Sequence, residues 1–166
     1  FDRHSWRKDY TASEVCVSKK PYKGTRRQNM TPAQQIKYAK FKTHMREFEQ
    51  LIDQHTTIIT LIEDDLEADD LIAGFCQKFA NSPDDEIIVI STDTDMLQLL
   101  KYDNVSIISP ATDKPQLLEE YDGDAEWYLF TKCIRGDTTD NVQSAFPGVR
   151  KTRLEKAYKD PFELVQ

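Results

Sequence analysis

Apolar residues recur along this chain with two different periods, and each change of period marks a new element. Ile36, Ala39, Phe41, Met45, Phe48 and Ile52 fall at helical spacing, which predicts a helix reaching to about residue 54. Thr31-Pro32 starts it, the threonine as N-cap and the proline at the first helical position. Residues 56–62 are β-branched and apolar and read as a strand, while 68–79, with Leu71, Ile72, Phe75 and Phe79 apolar, reads as a helix. Residues 86–91 form the continuously apolar run expected of a strand buried in a parallel sheet. A short helix over 95–100 and a third strand over 105–109 follow. After a turn at Asp122-Gly123-Asp124, a helix covers 125–134 and ends at Arg135-Gly136-Asp137; Pro147-Gly148 precedes a last, basic helix over 151–159. Residues 5–28 are polar, aromatic and basic without a sustained period and read as irregular. Strands alternating with helices predict an α/β fold with a largely parallel central sheet flanked by helices.

Composition places the chain among soluble globular domains: 166 residues, 39% of them hydrophobic, suffice for one core. No apolar run approaches the roughly 20 residues of a membrane span, and Phe1-Asp2-Arg3-His4 opens no secretory apolar region. The expectation is a cytoplasmic monomer without a membrane partner. Cys16, Cys76 and Cys133 are far apart and odd in number, which indicates neither a disulfide frame nor a zinc site. Cys76 and Cys133 sit on apolar helical patterns and are expected to be buried thiols. Charge changes the picture more. Residues 1–50 carry 12 Lys and Arg against 5 Asp and Glu, whereas residues 51–166 carry 10 against 24. A basic arm beside an acidic body suits a protein that grips phosphates with one part and holds divalent cations with the other, although a plain solvated basic surface has the same signature.

The acidic body is clustered. Glu67-x-Asp69-Asp70, Asp93-x-Asp95 and Asp137-x-x-Asp140 stand where this reading puts the carboxyl ends of strands or the ends of helices. Ligands of open α/β sheets bind outside the carboxyl ends of the strands, so the three groups have a place to converge. Oxygen ligands without His or Cys select hard cations, Mg²⁺ or Mn²⁺. Taken singly each group has a plainer reading: Asp93 as a helix cap, Glu67, Asp69 and Asp70 as favourable charges at a helix N-terminus, Asp137 and Asp140 as an ordinary turn. Three such groups in one small fold favour cations.

These residues resemble the 5′-nuclease family of flap endonucleases, polymerase-associated 5′-3′ exonucleases and phage ribonuclease H enzymes. Glu67-Ala68-Asp69-Asp70 is similar to its first acidic motif, Ser91-Thr92-Asp93-Thr94-Asp95 with Leu97 and Leu99-Leu100 to its second, and Gly136-Asp137-Thr138-Thr139-Asp140-Asn141 to its third. The resemblance implies that Glu67, Asp69 and Asp70 serve one metal ion and Asp93, Asp95, Asp137 and Asp140 a second, with Asp2 assisting the first. Pro21-Tyr22-Lys23-Gly24-Thr25-Arg26-Arg27 resembles the stretch leading into the family's helical arch. Lys23 and Arg26 would then act on the scissile phosphate as catalytic groups, with Tyr22 and Arg27 contacting nucleic acid. Phe146-Pro147-Gly148-Val149-Arg150-Lys151-Thr152 is similar to a shortened helix-hairpin-helix element, in which the backbone at Gly148 and the side chains of Arg150, Lys151 and Arg153 would hold a phosphate.

Two departures qualify the match: family members open with a strand carrying another metal-binding aspartate, upstream of where this chain starts, and they continue past its end. The expected organisation is a catalytic core over 1–140, with a basic arch-like segment at about 5–50, and the start of the hairpin element over 141–166. The implied activity is hydrolysis of phosphodiester bonds with two Mg²⁺ or Mn²⁺ ions, on branched or 5′-ended DNA or an RNA:DNA hybrid. Two other readings are a single-strand ribonuclease with a related acidic core and a nucleic-acid-binding module that has lost catalysis.

Overall fold

A parallel pair of strands begins the sheet: β1, Ile87–Ile90, pairs with β2, Val105–Ser109, in the register Ile87 to Val105 through Ile90 to Ile108. A two-residue strand, β3, Lys114–Pro115, adds antiparallel to β2, so the sheet is small and mixed, narrower than the largely parallel one expected. The computed structural model describes residues 5–16, 21–24 and 30–164. The chain divides into two compact units, Phe1–Ala68 with Thr139–Asn141, and Asp69–Thr138 with Val142–Gln166.

In the second unit, α3, Ala68–Lys78, whose first residue belongs to the other unit, precedes the sheet; the 3₁₀ helix Thr94–Lys101 crosses from β1 to β2. Two further helices follow, α4, Ala125–Arg135, and α5, Lys151–Lys159. Val89, Met96, Leu97, Leu99, Val105, Ile107 and Cys76 form the apolar centre, and burial pushes the Cys76 thiol pKa up. Leu154 and Ala157 of α5 are fully buried. Burial is one-sided at β1: Val89 faces inward while Ile88 and Ile90 are exposed, contrary to the strand buried on both faces that its composition suggested. Cys133 is likewise exposed, since it lies on the outer side of α4, away from buried Trp127, Tyr128 and Thr131.

The first unit is built differently. Its element α2, Pro32–His55, has the capping box the sequence announces, with Thr31 Oγ1 accepting from Gln34 N–H and the Gln34 side chain accepting from Thr31 N–H, yet none of its 24 residues is buried. A helix not anticipated, α1, Trp6–Ala12, starts on Ser5, whose hydroxyl accepts from Arg7 N–H. The segment 56–62 forms no strand. Thr56 instead terminates α2, its N–H and hydroxyl both donating to the Ile52 carbonyl, and its Oγ1 then accepts from Ile58 N–H. With no partner strand among the described residues, the backbone here has no ladder to join, and Ile59 is left 83% exposed. The buried residues described in this unit, Ser5 and Glu67, are polar, so hydrogen bonds and ion pairs order it.

Candidate active site

Glu67 precedes α3 and is 4% exposed, a carboxylate that burial would penalise without partners. Among the described residues, Tyr22, Lys23 and Arg7 approach it. Tyr22 Oη donates to Oε2 at 2.9 Å, Lys23 Nζ donates to Oε1 at 3.0 Å, and the Arg7 guanidinium lies 3.7 Å from Oε2. Burial and the hydrogen bond to Glu67, with a smaller contribution from Asp140, hold the Tyr22 phenol protonated far above the ordinary tyrosine range. Lys23 also lies 3.9 Å from Asp140 Oδ2, so one ammonium joins the first acidic motif to the third. Local backbone geometry aims it: Lys23 adopts φ 52°, its N–H donates to the Asp140 carbonyl, and Thr11 of α1 accepts from Tyr22 N–H. The Tyr22 hydroxyl is thus committed to a carboxylate. Asp2, Arg26 and Arg27 lie outside the described residues.

A second lysine does the same in the other unit. Lys132, in the last turn of α4, lies 2.8 Å from Asp95 Oδ1 and 3.2 Å from Asp137 Oδ2. Burial alone would lower its pKa; the two carboxylates outweigh burial and raise it well above the usual lysine range. Asp93 caps the 3₁₀ helix through Oδ1, which accepts from Asp95 N–H, so the plain reading of that residue holds and leaves its second oxygen for other use. Asp69 and Asp70 occupy the first turn of α3, half-buried.

Gly136 sets the position of Asp137. It ends α4 with φ 71° and ψ −168°, a region open essentially to glycine alone, and Asp137 then forms a reciprocal backbone pair with Val142. A Cβ on Gly136 would lie 2.6 Å from the Val142 carbonyl oxygen and 2.7 Å from the Gln143 carbonyl carbon. Gly136→Ala is therefore expected to cost about 2 kcal/mol or more in a urea melt and to lower any activity that depends on Asp137.

Lys132 was not among the residues the motifs pointed to. No local pattern singles it out; Tyr128, four residues earlier on the same helix face, donates its hydroxyl to the Thr94 carbonyl beside Asp95. At the other end of the unit, Gly148 has φ 79° with open space around it, and Arg150 N-caps α5 without a side-chain bond. Lys151 Nζ donates to the Glu120 carbonyl and Arg153 Nε to the Glu163 carbonyl, so both have intramolecular partners.

Among the described residues, no three His, Cys, Asp or Glu side chains stand close enough to hold a metal ion. The donor set nonetheless suits a hard cation. Asp95 Oδ1 is buried, and the Lys132 ammonium at 2.8 Å meets it chiefly by charge. Two carboxylates gathered on one positive centre form a pocket for positive charge.

The family model described as 5'-3' exonuclease, N-terminal resolvase-like domain, matches residues 3–126. The chain belongs to the 5′-nuclease family. Ribonuclease H of Enterobacteria phage T4 is 42% identical over 81 residues, covering 49% of this chain and 26% of the relative. A 5'-3' exonuclease of Halalkalibacterium halodurans is 32% identical over 116 residues, covering 61% and 38%. Among solved structures, the flap endonuclease of bacteriophage T5, in a pseudo-enzyme–product complex with DNA and metal ions, superposes with a TM-score of 0.67 at 25% identity over 84% of this chain and 52% of its own. The chain thus spans between a quarter and two fifths of these curated relatives and about half of this solved 5′ nuclease.

Proposed function

We propose that this chain carries the catalytic part of a divalent-metal-dependent nuclease that hydrolyses phosphodiester bonds near the 5′ end of branched or duplex DNA. The observation that carries the reading is the gathering of Asp95 and Asp137, from the second and third acidic motifs of a 5′ nuclease, onto one positive charge. Asp69, Asp70, Asp93, Asp95 and Asp137 would hold Mg²⁺ or Mn²⁺. Bound ions supply Lewis acidity at phosphoryl oxygens and lower the pKa of water. Lys23, fixed by Glu67 and by its own backbone, presents an ammonium for a phosphate oxygen where negative charge develops. The lysines of α2 and the turn at Gly148 leading into α5 would hold the duplex by its backbone, as the start of a hairpin element, which favours structure over sequence in recognition. The relatives' names include a ribonuclease H and a DNA-bound flap endonuclease, which makes an RNA:DNA hybrid a second substrate to compare with flap DNA.

The test is a cleavage assay of the whole protein on labelled 5′-flap, nicked, single-stranded and RNA:DNA substrates. Cutting of the flap near its 5′ end with Mg²⁺ is expected, with none in chelator, while binding at low salt persists without the ion. Undiminished cutting in chelator would overturn the metal-dependent reading; equal cutting of unstructured single strands would point to a single-strand nuclease.

A further inference from the structure

We infer that Lys132 is a built-in counter-cation: its ammonium stands between Asp95 and Asp137 where a divalent ion is held, so that the lysine and the ion exclude one another. The inference rests on the reading of those two aspartates as ion ligands. Nζ sits 2.8 Å from Asp95 Oδ1 and 3.2 Å from Asp137 Oδ2, and Asp95 Oδ1 is buried. A magnesium ion bonds oxygen at about 2.0–2.1 Å, so an ion between these two oxygens needs the space the ammonium fills, and its charge repels the ammonium as well.

The lysine has a way out. Its side chain is 28% exposed, and a flexible four-carbon stem lets the head swing to water while α4 stays in place. In the ion-free protein its ammonium offsets part of the like-charge repulsion between Asp95, which follows β1, and Asp137, which follows α4. It yields that place when the ion arrives. Because only the ion-free form keeps the ammonium in place, the lysine must weaken ion binding by the same coupling with which the ion displaces it.

The experiment is Mn²⁺ titration of the whole protein, by calorimetry or by electron paramagnetic resonance of the free ion, for the parent, Lys132→Met, Lys132→Gln, Lys132→Arg and Asp95→Asn. The site concerned is the one lost in Asp95→Asn. Lys132→Met and Lys132→Gln are expected to bind Mn²⁺ there at least about fivefold more tightly, and Lys132→Arg to stay within about twofold of the parent. A merely structural lysine would give the opposite sign, since a loosened site binds ions less well. Unchanged or weaker affinity in both neutral variants, with the Asp95-dependent site present, overturns the counter-cation and leaves the metal reading standing. Absence of any Asp95-dependent Mn²⁺ site in parent and neutral variants alike overturns both.

Discussion

Replacing Asp69 and Asp70 together by asparagine is expected to reduce Mg²⁺-supported cleavage at least about a thousandfold while leaving affinity for a flap duplex unchanged or improved. The two effects separate because they depend on different charges. Both residues lie in the first turn of α3, where asparagine keeps the size of aspartate and gives up its favourable charge at the helix N-terminus, a modest stability cost that a urea melt of the variant measures. What is lost is anionic oxygen for an ion. Residues 51–166 carry 24 acidic side chains against 10 basic ones, and removing two negative charges there lowers the repulsion a phosphate backbone meets. Single-turnover cleavage and an equilibrium binding titration on one substrate measure the two quantities. A double variant that still cuts at the parent rate would return Asp69 and Asp70 to the role of favourable charges at a helix N-terminus.

Lys23→Ala is expected to slow single-turnover cleavage about a hundredfold and to destabilise the protein by about 3 kcal/mol, with duplex affinity nearly unchanged. The stability loss follows from Glu67. Its side chain is 5% exposed and that of Lys23 14%, so deletion of the ammonium takes a cationic partner from a buried carboxylate. A parent-like rate in a variant shown to be folded would remove Lys23 from the chemistry and leave it as a partner of Glu67.

Much of the second unit was legible because its signals are local. The Val105–Ser109 strand, the turn before α4 and the extent of α5 follow from period, turn residues and basic residues within a few positions. Elements that depend on partners were not legible. The β-branched run at 56–62 has strand composition, but composition describes how a residue suits a pleated surface and says nothing of whether a neighbouring strand is there. In α1, the cap at Ser5 was present in the sequence, yet its seven residues carry no apolar stripe, so no period revealed it. At the site, the acidic motifs were legible as a set, while the lysines that join them were not equally so. Lys23 stood out through its resemblance to a known stretch; Lys132 looked like an ordinary cation in a helix's last turn, and only the fold shows that it bridges two motifs.

The long helix α2 behaves as a folding problem of its own. At 24 residues and 1.5 Å per residue it extends about 36 Å, and none of its side chains is buried, so its order rests on the Thr31–Gln34 box, on pairs such as His44 with Glu47, and on intrinsic propensity. A helix supported in that way is in helix–coil equilibrium with itself, and its population falls gradually on warming while the sheet and α4 still hold. The protein should therefore lose ellipticity in two stages, a shallow early slope and a later cooperative step, with the amides of residues 36–52 exchanging with solvent long before those of β2.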